Sequence, residues 1–166
     1  SRVQGEKHGF NIASTAENSV FASEEINTVV IATQHHLHAP QVIEALKKNK
    51  NVFVEKPLAI NLTELNEIKR LYESISDNKP QIMVGFNRRF SPHVKKMKSL
   101  LSLQDGPKVF VMTVNAGAIP VDHWTQNPLV GGGRIIGEGC HFIDLLRFLV
   151  GFKIKGFNAN KVGDHP

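Results

Sequence analysis

At 166 residues the chain has room for one ordinary domain or for parts of two. A composition of 41% hydrophobic and 21% charged residues excludes a disordered chain, and no apolar run approaches the ~20 residues that cross a bilayer. The net charge of +5 is densest at Lys47, Lys48 and Lys50 and at Lys95, Lys96 and Lys98; without interleaved aromatics or zinc-type cysteine pairs, both clusters read as solvated helix faces, not a nucleic-acid site.

The chain opens on polar residues, Ser1 to Lys7, with no apolar leader segment. Residues 26–33, nearly continuous in β-branched side chains, predict a fully buried strand. A turn through Gln34, His35, His36, Leu37 and His38 follows, with Pro40 expected in the first turn of a helix whose apolar face is Val42, Ile43, Ala45 and Leu46. A second strand over 51–54 ends abruptly in Glu55, Lys56 and Pro57. Asn61 and Glu64 form an N-cap and capping-box pair ahead of a helix carrying Leu62, Leu65, Ile68, Leu71 and Tyr72. A third strand is expected over 81–86, running into Asn87, Arg88, Arg89 and Phe90. Ser91 and Pro92 then start a helix with Val94, Met97, Leu100 and Leu101 inward. This β-α-β-α-β-α order with short connections implies parallel strands, right-handed crossovers and a doubly wound sheet covered by helices on both faces.

After Gly106 and Pro107 the pattern changes. Residues 108–116 alternate as a strand would, and 117–133 form a long irregular region with Gly131, Gly132 and Gly133. An amphipathic helix follows with Phe142, Ile143, Leu145, Leu146, Phe148 and Leu149, closing at Gly151. Residues 152–162 leave room for one more strand. A boundary near 104–107 therefore divides the chain into residues 1–104, a partial dinucleotide-binding domain, and 105–166, part of an α+β substrate domain with an open sheet. The lone Cys140 excludes an intramolecular disulfide and fits a reducing, cytoplasmic setting. Beside His141 it reads as a buried inert thiol.

A dinucleotide-binding sheet of this kind opens with a strand, a glycine-rich turn and a helix whose N-terminus holds the pyrophosphate. No G-x-G-x-x-G occurs here, and the three consecutive glycines come too late in the chain. The chain is expected to be an internal piece of a longer protein.

The run Asn51, Val52, Phe53, Val54, Glu55, Lys56, Pro57 carries the most chemistry. Ligands of open parallel sheets bind beyond the carboxyl ends of the strands. An acid and a lysine delivered there stand where reactions occur, and Pro57 fixes the local backbone, a cis Lys56–Pro57 bond being one possibility. With Leu58 and Ala59 this run resembles the glucose–fructose oxidoreductase, inositol dehydrogenase and rhizopine catabolism (Gfo/Idh/MocA) family. Supporting segments follow in order: 28–33 with His38 and Ala39; 84–92; then Gly131 to Gly133, His141 to Leu146, and Gly151.

The resemblance implies a Rossmann domain binding NAD or NADP, and a second domain whose sheet holds the substrate and mediates homo-oligomerisation. The implied activity is hydride transfer at a secondary alcohol or ketone of a sugar, polyol or sugar nucleotide. It assigns Lys56 to the nicotinamide ribose, the substrate hydroxyl and proton transfer. It assigns His141, in the first turn of its helix, to sharing the proton. Oxidising a carbinol requires a general base within hydrogen-bond reach of the hydroxyl, and a lysine serves only where burial or another cation favours the neutral amine. Many members carry an aspartate four residues before that histidine; here the position is Gly137, with Glu138 next.

Around these two catalytic candidates, Thr33, His38, Glu55, Lys56, Pro57 and Asn87 are expected at the cofactor. Ser1 and Arg2 lie where the adenosine ribose is read. Glu55 also reads as a structural partner, and His38 as a cap of the next helix. His35, His36 and His38 lack a carboxylate or cysteine at ligand spacing, so they read as a turn rim rather than a metal site. Arg88 and Arg89 are either an anion clamp or salt-bridge formers. Substrate contacts are expected from Arg89, His123, Trp124 and Asp144, the last either orienting His141 or touching substrate itself. A non-catalytic ligand sensor or assembly subunit with the same fold is the alternative to an enzyme.

Overall fold

The computed structural model describes residues 2–162, which form two compact units. Among the described residues the first comprises 2–85 with 119–138, the second 86–118 with 139–162. These limits differ from a single cut at 104–107: segment 119–138 packs with the first unit and 86–104 with the second.

The first unit begins with two short helices, α1 (Arg2–Lys7) and α2 (Glu17–Ala22). Three parallel strands follow: β1 (Thr28–Ile31), β2 (Asn51–Val54) and β3 (Ile82–Val84). Their order is β1-β2-β3, with Ile31 opposite Val54 and Val54 opposite Val84. Helices α3 (His35–Lys47) and α4 (Leu62–Ser74) make the crossovers. This is the parallel α/β sheet expected from the alternating periods.

The core lies on one face of that sheet. Val29, Ile31, Val52 and Val54 point into it and meet Ala39, Val42, Ala45 and Leu46 of α3, Ile68 of α4 and Phe21 of α2. Val42 and Val54 have no exposed surface, and burying each contributes about 1.5–3 kcal/mol. The other face differs from the expectation of helices on both sides. Val30 is 69% exposed and Met83 48%, because α3 and α4 pack together on the same side of the described sheet. The run over 26–33 is therefore half-buried, its burial alternating along β1.

Local chemistry explains where the helices start. The Asn61 side chain accepts from the Glu64 N–H at 2.9 Å, while the Glu64 carboxylate accepts from the Ile60 N–H at 3.0 Å. The capping box thus forms, with its return bond one residue earlier than usual. Helix α3 begins earlier than predicted. His35, His36 and His38 are helical rather than in a turn, and Pro40 is interior to the helix. Lys50, assigned above to a solvated face, is 4% exposed. Its ammonium donates to the carbonyls of Ser23 at 2.6 Å and Ile26 at 2.5 Å, which satisfies a buried charge.

The second unit holds α5 (Pro92–Leu101) and α6 (Cys140–Val150). The Ser91 hydroxyl accepts from the Val94 N–H at 3.3 Å, and Pro92 takes the first turn, as its missing N–H allows. Val94 and Leu101 are half-buried, whereas Met97 and Leu100, predicted inward, are about half exposed. Helix α6 ends at Gly151, whose φ of 86° is the left-handed conformation such a stop requires. Neither 108–116 nor 152–162 forms a strand among the described residues. A strand exists through hydrogen bonds to a neighbour, and here no partner is paired with either segment: Val109 is 93% exposed and Phe157 91%.

Candidate active site

In the first unit the carboxyl ends of the strands gather the expected residues. Lys56 follows β2 directly, and the Lys56–Pro57 peptide is cis. The Lys56 ammonium donates to the Gly137 carbonyl at 2.5 Å. The Glu55 carboxylate packs on Gly85, where an added Cβ would meet both oxygens at 3.1 Å. That placement matches a structural partner at the end of β3.

His38 bridges two strand ends. Its Nδ1 lies 2.7 Å from the Pro57 carbonyl oxygen and its Nε2 3.0 Å from that of Thr33. Carbonyls only accept, so a neutral ring satisfies one of them and an imidazolium both. The ring has no exposed surface, so no edge is open to a cofactor in this state. Nor does it cap α3, whose N-cap is Gln34. The Thr33 hydroxyl donates to Gln41 Oε1 at 2.8 Å, and Gln41 Nε2 donates in turn to Glu17 at 2.8 Å. The Thr33 hydroxyl is thus engaged within the protein.

Segment 119–138 crosses this region through His35. The ring is 7% exposed, and its Nδ1–H donates to the Gly131 carbonyl at 2.7 Å. Trp124 meets it edge-on, with centroids 4.8 Å apart. Burial, opposed only in part by the Gly131 bond, lowers the affinity of His35 for a proton below the ordinary histidine value; the charges of Lys56 and His38 act in the same direction. His123 is exposed, and its Nδ1 accepts from the Thr125 N–H at 3.4 Å at the start of a short 3-10 turn, Trp124–Gln126. Trp124 itself is half-buried.

The second unit brings Arg89 and Asp144 together. Arg89 Nε donates to Asp144 Oδ2 at 3.0 Å, and its Nη2 donates to Oδ1. Two expected substrate contacts are therefore engaged with each other in a bidentate pair. Arg88 stacks over the Phe142 ring at 4.6 Å, so of the two earlier alternatives the salt bridge is formed by Arg89 alone. His141, 8% exposed in the first turn of α6, meets Phe86 edge-on at 6.1 Å. A π-helical turn, Ile135–Gly139, leads into α6, a local form that often marks functional sites. Asn87 is exposed at the start of the 3-10 turn Asn87–Phe90. Ser1 lies outside the described residues, and of Arg2 only the backbone, at the start of α1, is described.

Sequence inspection missed His35 as anything but rim, and missed the carbonyls of Gly131 and Gly137 altogether. The available signal was steric. A Cβ on Gly131 would overlap the Thr125 backbone, and one on Gly137 would sit 3.1 Å from His35 Cε1. Glycines demanded by close approach mark both positions. Thr33, Lys56 and Gly85 lie at the carboxyl edge of this sheet, the edge where ligands of open parallel sheets bind.

The model of an oxidoreductase family with an NAD-binding Rossmann fold, Gfo/Idh/MocA, matches residues 3–86. Inositol 2-dehydrogenase of Rhizobium meliloti (strain 1021) is 30% identical over 139 residues, 81% of this chain and 39% of that protein. Levoglucosan dehydrogenase of Pseudarthrobacter phenanthrenivorans is 29% identical over 154 residues, 87% of this chain and 38% of that protein. A solved structure of levoglucosan dehydrogenase in complex with NADH and levoglucosan superposes with a TM-score of 0.73 at 28% identity, covering 90% of this chain and 42% of that one. The chain thus spans about two fifths of the length of these relatives.

Proposed function

The chain belongs to the Gfo/Idh/MocA oxidoreductase family, and from that membership we propose that the whole protein transfers a hydride between NAD and a secondary alcohol carbon of a sugar or polyol. When bound, NAD supplies the hydride acceptor. The protein must then take the hydroxyl proton, and Lys56 is the group proposed to do so. The observation that carries this proposal is the position of Lys56 at the carboxyl end of β2, its Nζ donating an N–H to the Gly137 carbonyl at 2.5 Å, a bond that a neutral amine also makes while keeping its lone pair for the proton. A lysine aimed by a backbone acceptor is positioned for a proton relay in a way that a free surface lysine is not.

The remaining roles are part of the same proposal. Thr33, Glu55 and Pro57 shape the cofactor edge of the sheet, and His38 holds the backbones of Thr33 and Pro57 in register behind it. Asn87 is proposed as a further cofactor contact. His141, the second proton-transfer group, is supported by the family resemblance and by its buried place in the first turn of α6. Arg89 and Asp144 act as a pair that presents substrate-facing polar groups, and His123 and Trp124 contribute from the irregular segment. Residues 1–104 serve the dinucleotide and 105–166 the substrate and a homo-oligomeric sheet. The exposed Val109 and Val111 support 108–116 as part of that sheet. No helix among the described residues is long and apolar enough to cross a membrane, and a cytoplasmic location completes the proposal.

Relatives named as inositol and levoglucosan dehydrogenases supply the substrates to try. The whole protein, incubated with NAD⁺ and myo-inositol, scyllo-inositol or levoglucosan, is expected to produce NADH with at least one cyclic polyol or anhydrosugar. Binding of NADH with no turnover on any sugar-type alcohol would instead support a non-catalytic relative.

A further inference from the structure

We propose that His35 is a positioning residue: its ring pins segment 119–138 at the carboxyl ends of β1 and β2 and so fixes the Gly137 carbonyl that holds Lys56. This deepens the function proposed above and rests on it for the role of Lys56. The pinning itself stands on geometry alone.

One side chain touches the segment at three points. Its Nδ1–H donates to the Gly131 carbonyl at 2.7 Å. Its edge packs on Trp124 at 4.8 Å and 74° between planes. Its Cε1 lies so close to Gly137 that a Cβ there would be 3.1 Å away, tighter than ordinary contact. The ring therefore fills the space that a side chain at position 137 would need, which accounts for a glycine there. The next backbone group on, the His36 N–H, donates to the Val130 carbonyl at 3.0 Å and reinforces the same seam. Lys56 then meets the Gly137 carbonyl, so the lysine's orientation depends on where the segment lies.

A neutral ring suits this post. Neutral His35 spends its single N–H on Gly131. The titratable groups around it are Lys56 and His38, and through Trp124 also His123, whose ring lies 5.9 Å from the indole.

Trp124 is the only tryptophan in the chain, which makes the contact readable without turnover. In the isolated chain, acrylamide quenching of Trp124 is expected to rise at least about twofold in His35→Leu, which keeps bulk but removes the donor of a buried bond. His35→Asn, which places an amide N–H near the Nδ1 position, should stay near wild type. Gly131→Ala, which disturbs the seam from the other side without altering His35, should quench like His35→Leu. On acidification, wild type and His123→Ala should show a change in Trp124 emission centred below the ordinary histidine value of about 6.5; His35→Asn should not. In the whole protein, His35→Leu should lower kcat by roughly tenfold to a hundredfold, the scale of an ångström misplacement, with KM for NAD little changed, and His35→Asn should recover most of it.

Unchanged quenching in His35→Leu, or no recovery in His35→Asn, would overturn the pinning. Altered quenching with wild-type kcat would overturn the positioning of Lys56. Should Lys56→Ala also turn over normally while quenching behaves as expected, the proposed function fails and the pinning survives.

Discussion

Replacing His38 by alanine tests whether the ends of β1 and β2 are tied together by one imidazole. The side chain is completely buried, and it faces two carbonyls, one at the end of β1 and one after β2. Removing it forfeits a buried side chain–backbone hydrogen bond, a net loss of about 1 kcal/mol. It also leaves a ring-sized void beside the His35 ring, 5.7 Å away between centroids, for which large-to-small substitutions cost about 2–5 kcal/mol. The sum is a loss of about 3–6 kcal/mol, a large part of the stability of a domain this size. His38→Asn restores one donor and part of the volume and should recover about 1 kcal/mol. Urea unfolding followed by far-UV circular dichroism measures the difference. A loss below about 1 kcal/mol, the worth of a single hydrogen bond, would show that the strand ends do not depend on this bridge.

Other consequences follow from single contacts. Asn61→Ala removes the cap of α4 and should lower stability by about 1 kcal/mol in the same unfolding assay, with Asn61→Asp close to neutral. Asp144→Ala leaves Arg89 without its carboxylate and should cost about 2 kcal/mol, less than a fully buried pair would, because the Arg89 side chain is 32% exposed. The lowered proton affinity of His35 gives stability a defined sign with pH. The unfolded chain binds the proton first, so this contribution is intact above pH ~6.5 and declines as pH falls below it. Urea midpoints across pH 5 to 8 should show that decline, and His35→Asn should reduce it.

Features built from neighbouring residues were legible in the sequence. The β-branched runs at β1 and β2, the Asn61–Glu64 cap, the Ser91–Pro92 start and the Gly151 stop each depend on chemistry within a few positions. Lys56 at a strand end was legible for the same reason. Features completed at a distance were not. The partner of His35 is 96 positions away, and nothing in its own surroundings announces a carbonyl at Gly131. Lys50 is buried because the carbonyls of Ser23 and Ile26 converge on it, a convergence invisible in a lysine-rich stretch. The alternation over 108–116 has the period of a strand, but period alone forms none without a neighbouring strand to pair with. Pro40 pointed to a helix start and instead lies inside α3, because the helix begins on the histidines before it.

Lys56 carries the proposed chemistry, and its removal tests the account most directly. In the whole protein, with a polyol that reduces NAD⁺, Lys56→Ala should leave circular dichroism near wild type, since the residue follows β2 and lies outside the core. It should lower kcat by roughly 10²–10⁴, the usual share of general acid–base catalysis. Lys56→Arg should recover little, because a guanidinium stays charged and cannot accept the proton. A Lys56→Ala protein that turns over at the wild-type rate would contradict the account and reduce this lysine to a structural end of its strand.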